Sequence, residues 1–398
     1  MATLKISLVL VFLVFWTRKK MDLGLGLFIC GIALGLTALP WLNVLTTILQ
    51  STYKWETIDL LLSLLLIFYF IEIWSTSGGT KNLTTHLNSV LRNSPIALVI
   101  PPAIIGLIPI IGGAMVSAPL VKDSQYSKHT SPAKLTFQNY WFRHIWEYCM
   151  PTYPGVILSA SLLGLSFGQI FMLNFPLTIA AIIAGLVFGL SGIKYDKKER
   201  PEKVNMEGMK YFLYAIIPLL VIIVLALVFK VPVYLAIIIS IIFMALANKS
   251  GLHAMYKMFI KSFSFTIVSV VLGIMSFKAV MENSGIISQM SAEFISWHIP
   301  VMLLLFILPF LTALITGLTQ PFVAIAFPLL MTYLSNDHSL LTWAYASGYM
   351  GVLLSPVHYC LVLTREYFKA SWKDVYKILI IPCAIVLATA YVVVKLRG

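Results

Sequence analysis

Apolar runs of bilayer-spanning length recur along the chain, over 170–190, over 212–229, and around 301–310 with its flanks. A spanning helix needs about 20 such residues. Within lipid, every backbone N–H and C=O must also be satisfied inside the segment or by neighbouring protein. A water-soluble fold would have to break such runs with polar residues at each outward position. Here 60% of the 398 residues are hydrophobic and only 11% are charged, where soluble domains carry roughly a quarter. No polar stretch is long enough for a separate soluble domain. The expected fold is therefore one all-α polytopic membrane protein, multi-pass in the cytoplasmic (inner) membrane.

The formal net charge of +13 fits basic cytoplasmic loops facing anionic headgroups. Aromatic and basic residues do not interleave in a binding motif, so the bilayer is the expected partner and nucleic acid is set aside. Cys30, Cys149, Cys360 and Cys383 lack CxxC spacing and sit in apolar segments, which gives no disulfide framework and no expected metal site. The N-terminal apolar run is followed by Arg18, Lys19 and Lys20 without a small-residue cleavage site, so it reads as a retained first helix.

The pattern predicts about ten transmembrane helices, near 4–17, 22–39, 57–74, 139–166, 169–190, 211–229, 232–248, 262–281, 340–364 and 376–396. Two apolar segments do not fit that scheme. Residues 95–121 carry Pro95, Pro101, Pro102, Pro109, Gly112, Gly113 and Pro119, and residues 298–334 carry Pro300, Pro309, Gly317, Pro321 and Pro328. A straight helix does not absorb that many breakers. Each segment reads as a re-entrant hairpin, which persists at membrane depth only under protein cover or beside a water-filled cavity. With the N-terminus outside and each hairpin returning to its own side, 21 of the 28 basic residues fall inside, the orientation that the positive-inside rule favours.

Pro95 and Pro300, Gly112 and Gly317, and Pro151 and Pro356 are all 205 residues apart, and Ser77–Gly78 echoes Ser284–Gly285. Residues 57–190 and 262–396 then form two inverted-topology repeats, with 1–56 as N-terminal helices and 191–261 as a cytoplasmic loop with linking helices. Inverted repeats are common in secondary transporters.

Candidate site residues cluster at the hairpin tips and the following helices. The tips read Gly106-Leu-Ile-Pro-Ile-Ile-Gly-Gly-Ala-Met-Val-Ser-Ala-Pro119 and Thr312-Ala-Leu-Ile-Thr-Gly-Leu-Thr-Gln-Pro321. Helix N-termini there would offer N–H groups to an anion and freed carbonyls would suit Na⁺. Gly112, Gly113, Ser117, Thr316, Gly317, Thr319 and Gln320 are the candidates, against a plain close-packing role for small residues. Arg143 and Glu147 share a helix face at i, i+4, with His144 adjacent. Arg143 suits a carboxylate, and Glu147 or His144 a proton; the competing reading places 139–147 in the interfacial belt with Trp141 and Trp146. The helix after each hairpin is interrupted, first at Pro151-Thr-Tyr-Pro-Gly155, itself a candidate site element, and again at Ser355-Pro356, which Ser355 and His358 flank. Glu72 and Glu282 read as interfacial, with ion coupling as their alternative, and Asp59 is weaker. No HExxH or Walker loop is present, so no enzyme is expected.

The first tip, Arg143-His-Ile-Trp-Glu-Tyr148, Pro151-Thr-Tyr-Pro-Gly155 and Ser355-Pro-Val-His358 resemble a family of prokaryotic integral membrane proteins, domain of unknown function 401. That family is similar to the ion transporter superfamily, which includes gluconate and dicarboxylate permeases. The resemblance spans most of the chain. It implies an inverted-repeat scaffold, a homodimer with one elevator-like transport part per subunit, and a substrate site mapped onto Gly112, Gly113, Ser117, Thr316, Gly317, Thr319, Ser355 and His358. The Ser-Asn-Thr tips of the dicarboxylate carriers are replaced here by Gly-Gly-Ala and Gly-Leu-Thr. The expected function is secondary active transport of a small anionic organic solute coupled to Na⁺ or H⁺, with a channel or enzyme on the same scaffold as the alternative. No cofactor is expected; Na⁺ enters only as a candidate coupling ion.

Overall fold

The computed structural model describes residues 2–79, 81–83, 85, 95–110, 112–193 and 206–397, with side chains in the last stretch from residue 210. Among these residues every regular element is helical. Six helices are long and apolar enough to cross a membrane: Trp55–Thr76, Phe167–Leu190, Lys210–Leu227, Phe265–Asn283, the broken Leu340–Phe368, and Trp372–Arg397. Of the basic residues that set the expected orientation, Arg92, Lys194, Lys197, Lys198, Arg200 and Lys203 lie outside the described residues, as does Ile111 in the first tip.

The first helices are α1 (Ala2–Arg18), α2 (Leu23–Gly35), α3 (Trp41–Tyr53) and α4 (Trp55–Thr76). Helix α3 was not expected from the apolar runs. Its Val44 and Ile48 are buried while Leu42, Leu45 and Leu49 stay exposed, so no unbroken apolar stretch marks it. Its 13 residues reach about 20 Å at 1.5 Å per residue, too short for a core of about 30 Å. The first tip region holds α5 (Ile100–Ile105) and α6 (Gly113–Asp123), followed by α7 (Pro132–Arg143), α8 (Pro154–Leu163) and α9 (Phe167–Leu190). Linking helices α10 (Met206–Leu227), α11 (Val233–Ala247) and α12 (Leu252–Ser262) precede the second half. Helix α12 buries no residue and was likewise absent from the expectation. The second half is α13 (Phe265–Asn283), α14 (Ile286–Ser296), α15 (Val301–Thr316), α16 (Thr319–Asn336), α17 (Leu340–Leu354), α18 (Tyr359–Phe368) and α19 (Trp372–Arg397).

The interruptions expected in two helices are present, each at proline. The helix expected over 139–166 is two helices, α7 and α8, with residues 144–153 in turns between them. In an unbroken helix the ring of Pro154 would clash with the carbonyl of Met150, and neither Pro151 nor Pro154 could donate a hydrogen bond. Likewise 340–364 is α17 and α18, parted at 355–358, because Pro356 cannot follow Val352 within a helix.

The elements recur in one order, and their caps recur at one spacing. Gly112 precedes α6 at φ +72°, and Gly317 precedes α16 at φ +68°, 205 positions on. Gly164 ends α8 at φ +65°, and Lys369 ends α18 at φ +54°, again 205 apart. Ser166 Oγ then accepts the Gln169 N–H at 3.3 Å, and Ser371 Oγ accepts the Asp374 N–H at 3.2 Å. Packing is reciprocal: α8 lies on α16 and α18 on α6, while α5 packs on α7 and α15 on α17. The closing helices α9 and α19 pack on each other.

The first half is fastened to the second by close backbone approach. Helix α2 packs along α13, where a Cβ on Gly273 would lie 2.7 Å from Gly24 Cα, and one on Gly35 2.8 Å from Val280 Cγ1. Small residues at such a seam let helices gain dispersion contacts that lipid cannot replace.

Candidate functional site

A broken helix leaves carbonyls without intrahelical partners, and inside a bilayer each must find a donor. Here each break is satisfied from the other half. Tyr349 Oη donates to His144 O at 2.9 Å and Tyr345 Oη to Glu147 O at 2.8 Å. In return Tyr140 Oη donates to Leu353 O at 3.0 Å. Tyr376 Oη adds a bond to Leu354 O at 2.9 Å. The breaks therefore meet at one buried crossing, ringed by tyrosines.

Ionisable groups sit in this interior. Arg143 is 3% exposed, His144 2%, His358 7% and Glu147 9%. Residues 139–147 pack inside the protein: Asn139 is fully buried and its Nδ2 donates to Ala114 O at 2.9 Å. Arg143 follows the end of the first broken helix onto the N-terminus of α6. Its Nη2 donates to Ile110 O at 2.7 Å, and its Nη1 to Tyr153 Oη at 3.4 Å. Tyr153 in turn donates to Gly106 O. Gly113 makes room for the guanidinium, since a Cβ there would fall 2.6 Å from Arg143 Nε. That Nε is buried with no hydrogen-bond partner, an uncommon state for a charged group.

Glu147 bridges toward the other tip. Its Oε1 lies 4.0 Å from Arg143 Nη1 and 3.7 Å from His144 Nε2. Its Oε2 accepts from Thr319 Oγ1 at 3.5 Å, and Thr319 opens α16. A helix N-terminus carries partial positive charge and unpaired N–H groups. So an arginine, a glutamate and two helix N-termini share one buried region, an arrangement that can hold a carboxylate and exchange a proton.

The remaining candidates divide. Gly317 belongs to the crossing: besides its left-handed φ, a Cβ there would lie 2.9 Å from His358 N. Gly112 faces the Tyr359 ring. Ser355 Oγ donates to Leu314 O at 2.7 Å, tying the second break to α15. Ser117 and Thr316 turn their hydroxyls to carbonyls of their own helices, and Gln320 is half-buried. Glu72 is paired with Lys261 at 2.6 Å, and Glu282 lies 4.0 Å from Lys278, both away from the crossing.

Sequence reasoning missed the tyrosine ring and Cys360. The 205-residue spacing carries a signal for the first: Tyr140 matches Tyr345, and His144 matches the Tyr349 that bonds it. Cys360 has no such marker; it was set aside for want of CxxC spacing, yet its thiol lies beside His144 and His358.

A family model described as "Protein of unknown function (DUF401)" matches residues 2–396. No curated protein matches the chain.

Proposed function

We propose that this chain, which belongs to the DUF401 family of proteins of unknown function, is a secondary active transporter of a small anionic organic solute, coupled to Na⁺ or H⁺. The observation that carries the reading is Arg143, 3% exposed, seated on one helix N-terminus and 4.0 Å from a glutamate that touches the other. Buried charge within a membrane protein is costly and marks pathways and coupling sites.

In this reading the segments around α5–α6 and α15–α16 are re-entrant hairpins whose tips face each other. Helix α5 has 6 residues and α6 has 11, about 9 and 17 Å long, which supports a return to the same side. The recurring order of elements then runs in opposite directions through the bilayer, with the N-terminus outside. Helix α3 buries Val44 and Ile48 on one face and exposes Leu42, Leu45 and Leu49 on the other, so in this reading it lies along the surface and leaves the orientation unchanged. The substrate carboxylate takes Arg143, whose Nε has no partner, at the N-terminus of α6. Glu147 competes with it for the same cation, and protonation of Glu147 releases Arg143 to the solute, which ties solute binding to the driving ion. Relative movement of the two tips, as an elevator within a homodimer, exposes the site to each side in turn.

The test is uptake by purified protein in proteoliposomes across a panel of mono- and dicarboxylates, with an imposed Na⁺ or H⁺ gradient. The reading expects saturable, gradient-dependent uptake. Flux that rises linearly with concentration and ignores the gradient would favour a channel, and no flux of any anion under either gradient would sink transport.

A further inference from the structure

Beside the charge pair, three side chains that the transport reading does not use converge from the two breaks. His144 comes from the first break, His358 and Cys360 from the second. One ring nitrogen of each histidine and the Cys360 sulfur lie within 4.8 Å of one another. The three residues are all buried, Cys360 at 8% exposure.

The hydrogen bonds around the rings define which nitrogens are free. His144 Nδ1 lies 2.6 Å from Tyr140 O. A carbonyl only accepts, so Nδ1 carries the proton and Nε2 keeps its lone pair. His358 Nδ1 lies 3.1 Å from Val352 O, which again makes it the donor. Tyr140 Oη, 3.1 Å from the same Nδ1, sends its own proton to Leu353 O and so can only receive. Both imidazoles are thus held in the tautomer that presents a bare Nε2, each anchored through Nδ1–H to a backbone carbonyl. That is the outer shell that metal-ligating histidines require.

We propose that His144, His358 and Cys360 form a binding site for a thiophilic transition ion of the Zn²⁺ type. Two imidazoles and a thiolate select such ions over Na⁺, Mg²⁺ or Ca²⁺, which prefer oxygen. Zinc bonds of about 2.0–2.3 Å place ligand atoms about 3.3–3.8 Å apart. From separations within 4.8 Å, the side chains close by no more than about 1.5 Å. Cys360 gives up its proton on ligation, so one proton leaves per ion bound. The fourth position opens toward Glu147, whose Oε1 is 3.7 Å from His144 Nε2, a ligand-to-ligand spacing that one ion bridges. Because the ligands come from both breaks, the ion clamps the two halves together at the crossing.

The experiment uses the full chain in detergent, stripped with chelator and titrated with Co²⁺ as the optical probe, with Zn²⁺ as competitor. The proposal expects one Co²⁺ per chain, tetrahedral d–d absorption, a near-ultraviolet thiolate charge-transfer band, and displacement by Zn²⁺. Cys360→Ser should abolish the charge-transfer band, while Cys30→Ser, Cys149→Ser and Cys383→Ser retain it. His358→Gln should weaken binding by more than the roughly 10- to 100-fold typical of outer-shell losses. Tyr140→Phe keeps all three ligands and should weaken it about tenfold, which leaves the proposal testable should Cys360→Ser fail to fold. A monodisperse wild-type chain with no thiolate band would overturn it. So would a band that survives Cys360→Ser, or affinity unchanged in both His358→Gln and Tyr140→Phe.

Discussion

At the scale of single residues, Arg143 and Glu147 depend on each other. Each is a charge removed from water, and breaking a buried pair from one side costs about 3–5 kcal/mol because the survivor is left uncompensated. Arg143→Ala should therefore lower thermal stability in detergent by an amount in that range, and adding Glu147→Gln should recover a large part of it. Equal melting of the single and double variants would mean the two charges are stabilised independently. Of this pair, the sequence showed only the i, i+4 spacing. Whether it lay at the interface or in the interior depended on the tyrosines and on α6, which reach it from elsewhere in the chain.

At the scale of elements, the breaks hold because the opposite half supplies the missing donors. Tyr349→Phe removes the only side chain shown bonding His144 O. The carbonyl then keeps only the long 3.4 Å bond from Glu147 N–H; losing one net hydrogen bond costs about 0.5–1.5 kcal/mol, and thermal melts of the variant should show that loss. Tyr333→Phe is the control: its hydroxyl has no hydrogen-bond partner, so its removal should be near neutral. A loss at Tyr333 as large as at Tyr349 would detach stability from the crossing. Elements at the periphery are fastened differently. Glu293 on α14 accepts the N–H groups of Ala2 and Thr3 at 2.7 and 2.9 Å, and the Thr3 hydrogen bonds hold its carboxyl below the ordinary value of 4.5. A depressed carboxyl contributes stability that is present above that ordinary value and is lost as pH falls through the lower folded one. Hydrogen exchange in the first turn of α1, taken relative to the intrinsic amide rate at each pH, should rise on acidification across that window in the wild type. In Glu293→Gln it should already be raised at neutral pH.

Which elements were legible follows from what produces each one. Long apolar runs and prolines act locally, so the membrane character and the two interruptions could be read directly. Helix α3 and α12 escaped because an amphipathic surface helix carries no unbroken apolar signal. Tyr140, Tyr345 and Tyr349 escaped because an aromatic residue in an apolar stretch looks like packing until its partner carbonyl is known. Cys360 escaped because His144, one of the two histidines beside it, lies more than 200 positions away.

At the scale of the whole molecule, the two halves meet through reciprocal contacts, and Glu147, paired with Arg143 in the first half, reaches Thr319 in the second. In the proposed transport cycle, solute and ion movement pass through the same small set of side chains, with Glu147 as the link. The direct measurement compares wild-type and Glu147→Gln protein in the same proteoliposomes, scoring net solute uptake under an inward proton gradient and solute exchange without one. The account predicts that the substitution lowers net uptake by at least about tenfold, the equivalent of roughly 1.4 kcal/mol, while exchange persists. Net uptake that remains fully gradient-driven in Glu147→Gln would contradict it.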